Sequence, residues 1–166
     1  MCISYHAQDK KIIISPSNNF KEAFRSYSMI EVKDTITTRV RYGETDKMGV
    51  AYYGRYMDWF EMGRTEFCRT TGKSFAQWEA EGILLPVVEA HCRYKLSLKY
   101  DDEIEIETSI GELKTVSIIF KCRIFLKDGH KLAAEGYTKH AFVSSDGKLL
   151  RGGCGLERSL REILGE

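Results

Sequence analysis

The order of patterns along this sequence predicts an α+β fold, with a curved, mainly antiparallel sheet of about five strands wrapped around one long helix. Three observations carry that expectation. A single stretch from about Tyr53 to Thr71 has apolar residues at helical spacing. Segments before and after it alternate with period two and are rich in β-branched residues. The later segments are joined by short turns such as Asp128-Gly129, which suit antiparallel neighbours.

With 166 residues the chain suits one domain with its own core. The 25 Lys+Arg nearly cancel the 24 Asp+Glu, giving a net charge of +1, so nothing draws the whole molecule to nucleic acid or to an anionic membrane. A small ligand or a protein partner is the expected counterpart. The five cysteines (Cys2, Cys68, Cys92, Cys122, Cys154) are odd in number, scattered and without a C-x-x-C pair. That pattern argues against a disulfide framework and against zinc, and it fits a reducing, cytoplasmic setting. No apolar run approaches the ~20 residues needed to cross a bilayer, and Ile12-Ile13-Ile14 is too short for a signal-peptide core.

Residues 1–32 are read as an N-terminal extension: Ser15-Pro16-Ser17-Asn18-Asn19 is a loop signal, and Phe20 to Tyr27 has room only for a short helix. Met29 is an alternative start, and Asp9 and Glu22 speak against an organelle transit peptide. The main domain is expected over 33–150. Lys33 to Tyr42 alternates as a strand. Gly43 to Gly49 is a turn, since two glycines, Thr45 and Asp46 favour non-helical backbone.

The long helix follows, ending where Gly72 offers a left-handed cap. At about 100° per residue Tyr56, Phe60, Gly63 and Phe67 share one narrow face, with Met57 and Cys68 at its margin. Gly63 costs about 1 kcal/mol relative to Ala inside a helix, so its expected use is close approach to the sheet. Arg55, Asp58, Glu66 and Arg69 fall on the solvated side. Ser74 to Glu81 reads as a short helix, capped by Ser74 and closed by Gly82. Strands are expected within Ile83 to Leu98, over Glu103 to Glu112, Val116 to Leu126 and Lys131 to Val143, with a turn at Asp146-Gly147. The tail, 151–166, closes with a short helix over Leu156 to Leu164.

Chemistry concentrates just before the long helix. Asp46 precedes a helix N-terminus, where unpaired backbone N–H groups and the helix dipole present positive potential. A carbonyl held between them would place its oxygen on the amides near Tyr53 and Gly54, and Asp46 would attack its carbon or activate a water. From spacing alone, a turn residue bonding its own backbone is the simpler reading of Asp46. Glu61 and Arg64 lie one turn apart and are placed to pair. His6, His91, His130 and His140 have no metal-ligand spacing, so no metal is expected.

The stretch R-V-R-Y-G-E-T-D-K-M-G-V-A-Y-Y-G-R-Y-M-D-W-F-E-M-G-R-T-E-F, Arg39 to Phe67, resembles the signature of the 4-hydroxybenzoyl-CoA thioesterase family, and more narrowly its small bacterial branch associated with the Tol-Pal system. The resemblance extends over roughly Thr35 to Leu150, through Tyr100-Asp101-Asp102-Glu103-Ile104 and Thr138-x-His140-Ala141-Phe142-Val143. It implies a hotdog fold and hydrolysis of acyl-CoA thioesters. Asp46 matches the catalytic aspartate, and Tyr53, with Gly54, the helix-start backbone that polarises the thioester carbonyl. Gly49, Val50, Tyr52 and Arg55 would flank the acyl group, and Ser117 matches a polar position near the pantetheine.

Glu61 is the rival base, because some hotdog enzymes use a helix glutamate. Arg93, Lys95, Lys99, Lys114 and Lys121 are candidates for the CoA phosphates. CoA enters as part of the substrate, with no other cofactor. The family builds its site between subunits, so a homodimer or homotetramer is implied. Arg55 stands where many members carry Asn, and Tyr53 where many carry His or Asn, so acyl preference is not carried over. The alternative is a non-catalytic acyl-CoA-binding or regulatory hotdog protein.

Overall fold

The fold is built around a 15-residue helix cradled by a five-stranded sheet. The computed structural model describes residues 32–151 and 154–165. Expectations for residues 1–31, including the extension and its short helix, lie outside the described residues.

The elements run β1 (Lys33–Arg39), a 3-10 turn (Tyr42–Glu44), α1 (Arg55–Arg69), α2 (Phe75–Ala80), β2 (Val87–Tyr94), β3 (Glu103–Lys114), β4 (Ser117–Leu126), β5 (Lys131–Ala141) and α3 (Gly155–Leu164). The sheet order is β1-β3-β4-β5-β2, antiparallel at every pairing. This is the hotdog arrangement. β2 is an edge strand, with Val87, Val88 and Tyr94 exposed.

The first strand is shorter than its alternation suggests. It stops at Arg39, and Arg41 is drawn into a turn because the Glu44 carboxylate accepts from the Arg41 amide at 2.7 Å and from its guanidinium at 2.8 Å. The strand read within Ile83 to Leu98 is likewise confined to Val87–Tyr94. Asp128-Gly129 turns the chain as expected, in a 3-10 turn over Asp128–His130 with Gly129 at φ 70°. Ser74 caps α2 by accepting from the Gln77 amide, and Gln77 reciprocates on the Ser74 amide at 2.7 Å.

Packing explains the helix composition. A Cβ on Gly63 would lie 2.4 Å from Thr108 Oγ1 and 2.8 Å from Ile106 Cγ2, so only glycine lets α1 approach β3 this closely. On β5, a Cβ on Gly136 would meet Phe60 Cε2 at 2.9 Å and the His91 carbonyl oxygen at 2.1 Å. Two apolar clusters flank this seam. One joins Tyr56, Trp59 and Phe60 to Val40, Leu98, Ile104, Ile106 and Ile124. The other joins Phe67 and Cys68 to Trp78, Leu85, Ile118, Phe120, Phe142 and two residues of α3, Leu156 and Leu160. The sheet therefore wraps the whole length of α1 while leaving its first turn near the edge strand.

Candidate active site

The turn before α1 is a small closed frame. Backbone bonds run from the Asp46 amide to the Val50 carbonyl at 2.9 Å, from Gly49 to Asp46 at 2.9 Å and from Tyr52 to Glu44 at 2.8 Å. Gly49 takes φ 74°, the left-handed conformation that glycine adopts at no steric cost. Asp46 Oδ1 accepts from the Met48 amide at 2.7 Å, so the backbone-bonding role read from spacing is realised. That bond uses one carboxylate oxygen and holds the side chain on the rim of a cleft. The cleft, 320 Å³ in volume, is lined by Asp46, Met48, Val50, Ala51, Tyr53, Tyr56, Tyr94, Lys95, Leu96 and Ser97.

Backbone accounting at the helix start identifies the available donors. The amide of Ala51 bonds Leu98, Tyr52 bonds Glu44, Arg55 bonds Tyr52, Tyr56 bonds Tyr53 and Met57 bonds Gly54. The amides of Tyr53 and Gly54 have no hydrogen-bond acceptor among the described residues. They are the two groups that the sequence places under a developing oxyanion. No side chain caps this helix, with Gly54 as its N-cap, so the donors stay open to a ligand.

Glu44, two residues before Asp46, was not singled out in the sequence and is 4% exposed. Burial pushes its carboxyl up, but hydrogen bonds from the Arg41 side chain and backbone and from Trp59 outweigh that and hold it below the usual carboxylate range. Glu44 thus stays ionised and pins the turn that carries Asp46. Its signal was the spacing Arg41-x-x-Glu44.

The other expected site residues divide. Gly49 and Val50 form the cleft turn. Tyr52 lies against Tyr53 with ring centroids 4.4 Å apart but does not line the cleft. Arg55 is engaged by Asp58 at 2.9 Å. Ser117 begins β4 opposite Ala141, away from Asp46 in the chain's own cleft. Lys95 lines the cleft and pairs with Glu135 at 2.7 Å, while Arg93 and Lys121 line a separate 620 Å³ depression on the outer sheet face. Lys114 pairs with Glu112 at 3.1 Å.

Glu61 opens on a third cleft, of 540 Å³, with Arg64, Thr65, Arg69 and α2 residues. The expected Glu61–Arg64 pair does not form. Arg64 stands four residues after Phe60, about 40° from it around the helix, and is therefore carried inward. Its Nη1 donates to His140 Nε2 at 2.9 Å, and its Nε is buried without a partner. His140 is fully buried, with Nδ1 2.9 Å from the Leu85 carbonyl and Nε2 2.8 Å from Thr138 Oγ1. Burial is the main cause that lowers its pKa to about 4, with the Arg64 charge also lowering it against the Leu85 bond. It is a neutral structural group, as its place in a strand suggested. Burial likewise raises the thiols of Cys68 and Cys122 to about 12, so both behave as small core residues.

A curved antiparallel sheet around one long helix gives the hotdog class, a fold that hosts several functions. The model of the Thioesterase-like superfamily matches residues 40–159, and the chain belongs to that family. A protein of Aquifex aeolicus (strain VF5) is 32% identical over 112 residues, covering 68% of this chain and 85% of its own. The acyl-CoA thioesterase YbgC of Haemophilus influenzae (strain ATCC 51907 / DSM 11121 / KW20 / Rd) is 33% identical over 99 residues, 58% of this chain and 71% of that protein. Among solved structures, DHNA-CoA thioesterase from Staphylococcus aureus superposes with a TM-score of 0.75 at 28% identity, covering 80% of this chain and 91% of that one. No helix among the described residues is long and apolar enough to cross a membrane.

Proposed function

We propose that this protein is an acyl-CoA thioesterase of the 4-hydroxybenzoyl-CoA thioesterase type, beside the Tol-Pal-associated branch that its helix-start signature resembles. The observation that carries the reading is the convergence on one cleft of the Asp46 carboxylate and a helix start whose Tyr53 and Gly54 amides are unpaired. The thioester carbonyl oxygen accepts from those amides, which stabilise the charge that develops as the carbon becomes tetrahedral. Asp46 either takes a proton from the attacking water or attacks the carbon itself, forming an anhydride that water then opens. In both routes the C–S bond breaks, a C–O bond forms, and the products are the free acid and CoA.

The similarity to acyl-CoA thioesterases supports CoA as the carrier. No cofactor beyond the substrate is needed for this chemistry, and the cytoplasm supplies both CoA esters and a reducing setting. The exposed apolar edge of β2, carrying Val87 and Val88, supports assembly of two copies edge to edge, as a homodimer or a pair of dimers.

A panel of acyl-CoAs given to the purified protein tests this. Hydrolysis of at least one, lowered about 1000-fold or more by Asp46→Ala in a folded variant, is the expected result. Tight acyl-CoA binding with no turnover of any CoA or carrier-protein thioester supports the non-catalytic alternative instead. Turnover that survives Asp46→Ala and vanishes in Glu61→Ala moves the base to Glu61.

A further inference from the structure

The cleft that Glu61 and Arg64 line between α1 and α2 shares no residue with the Asp46 cleft and, at 540 Å³, is of ligand size. Burial divides its lining into a floor and a mouth. Arg64, Phe75 and Leu85 form the floor, with Arg64 9% and Leu85 6% exposed. Glu61, Arg69 and Glu79 stand exposed at the mouth.

The guanidinium on that floor has no counter-ion among the described residues. Its Nη1 donates to His140, a neutral group, and its Nε is buried without a partner. Burial lowers the guanidinium's pKa, and Glu61 and Glu79 act against that only through space, without a contact ion pair. The Phe75 ring centroid lies 5.5 Å from its Cζ, which favours the cation but does not neutralise it. A buried charge without a partner costs stability, and an apolar side chain in its place carries no such penalty. An anion entering the cleft completes the site.

We infer that this cleft binds a small amino acid as its zwitterion, with the carboxylate on the Arg64 guanidinium and the ammonium group at the mouth with Glu61 and Glu79. The planar fork of an arginine matches the two oxygens of a carboxylate. Charge at the mouth selects the other end of the ligand. Arg69 is occupied by Glu66 at 3.0 Å, which leaves Glu61 and Glu79 as the unpaired charges there among the described residues. Two carboxylates at the entrance oppose a simple anion, and a phosphate more strongly, whereas an ammonium group meets them favourably. The carbon chain between the two ends lies against Phe75 and Leu85. This site stands whether or not Asp46 hydrolyses thioesters.

Glycine, β-alanine and γ-aminobutyrate test it, each titrated beside the carboxylate of the same length without its amine: acetate, propionate and butyrate. The purified full chain is isotope-labelled, and the readout is the Arg64 Nε–H resonance in proton–nitrogen correlation spectra. At least one amino acid is expected to shift that resonance with a Kd of about 1 mM or tighter. Its amine-free counterpart is expected to bind about fivefold more weakly or worse. Arg64→Lys keeps the charge and loses the fork, so calorimetry should show binding weakened about tenfold. If that variant does not fold, Glu79→Gln, at an exposed position, carries the test. It should weaken the amino acid about threefold and tighten the plain carboxylate. The inference is overturned if none of the three amino acids moves the Arg64 resonance, if a plain carboxylate binds as tightly as its amino acid, or if affinity is unchanged in either variant. No CoA ester enters these titrations, so their failure leaves the hydrolysis reading standing.

Discussion

At its first turn α1 leaves two backbone amides unpaired beside an open cleft, whereas further along the same helix presses Gly63 onto Thr108 and Ile106 and buries Arg64 against His140. The two halves share one amphipathic stripe yet differ in what their polar groups meet. At the start, Tyr53 is 63% exposed and Met48 82% exposed, and no capping side chain competes for the helix donors. In the second half, Phe67 and Cys68 are fully buried, and the adjoining His140 is satisfied by Leu85, Thr138 and Arg64. The open donors at the exposed start are free for water or a ligand, as the proposed chemistry requires, whereas the buried half leaves one side-chain group, Arg64 Nε, without a partner among the described residues.

Changes in the second half should therefore cost stability and spare the turnover of the molecules that remain folded. The largest is expected from Gly63→Ala. The added methyl meets a β-branched, buried neighbour that has no room to move, and overpacking of this kind costs about 3 kcal/mol, partly offset by ~1 kcal/mol of better helix propensity. Urea unfolding should show a net loss of about 2 kcal/mol with kcat per folded molecule unchanged. A kcat that falls in step with stability would erase the division between the halves.

His140 gives the next effect, and it depends on pH. A histidine held at about 4 in the folded state, against its ordinary 6.5, binds its proton more readily when unfolded. Its neutral burial therefore contributes stability that is fully present above about pH 6.5 and is lost as pH falls toward 4. The expected loss between about pH 7 and about pH 4.5 is about 2 kcal/mol. His140→Gln should be less stable at neutral pH but show a flatter acid slope in thermal melts. An identical slope would mean that other groups carry the acid sensitivity.

The smallest effect belongs to the exposed face near the helix start. Arg55→Ala removes a solvent-exposed pair with Asp58, for which about 0.5 kcal/mol or less is expected in chemical denaturation. A larger change would give Arg55 a structural role that its exposure does not suggest.

The sequence showed most of this architecture because period and punctuation are local. Gly63 inside an apolar stripe announced a close approach, Ser74 and Gly82 bracketed α2, and the alternation from Glu103 to Glu112 marked β3. Asp46 was legible as a turn residue, and its catalytic reading came from the company of the surrounding motif. Arg64 was placed to pair with Glu61 rather than to turn inward, since a long charged side chain on the buried stripe is uncommon and its partner, His140, stands on another element. The Tyr94–Tyr53 contact was invisible for a similar reason. The Tyr94 hydroxyl reaches Tyr53 only because β2 forms the edge of the sheet beside the helix start, and no local pattern encodes that meeting.

The proposed division of reaction and stability along one helix puts Asp46 and the Tyr53 and Gly54 amides at the reactive end. The most direct measurement is Asp46→Asn, which keeps the turn bond to the Met48 amide, assayed for kcat on the best acyl-CoA and for melting temperature in the same preparation. A loss of about 1000-fold in kcat with a melting temperature within a few degrees of wild type is predicted. Full activity in this variant, or a loss of activity explained by unfolding, would contradict it.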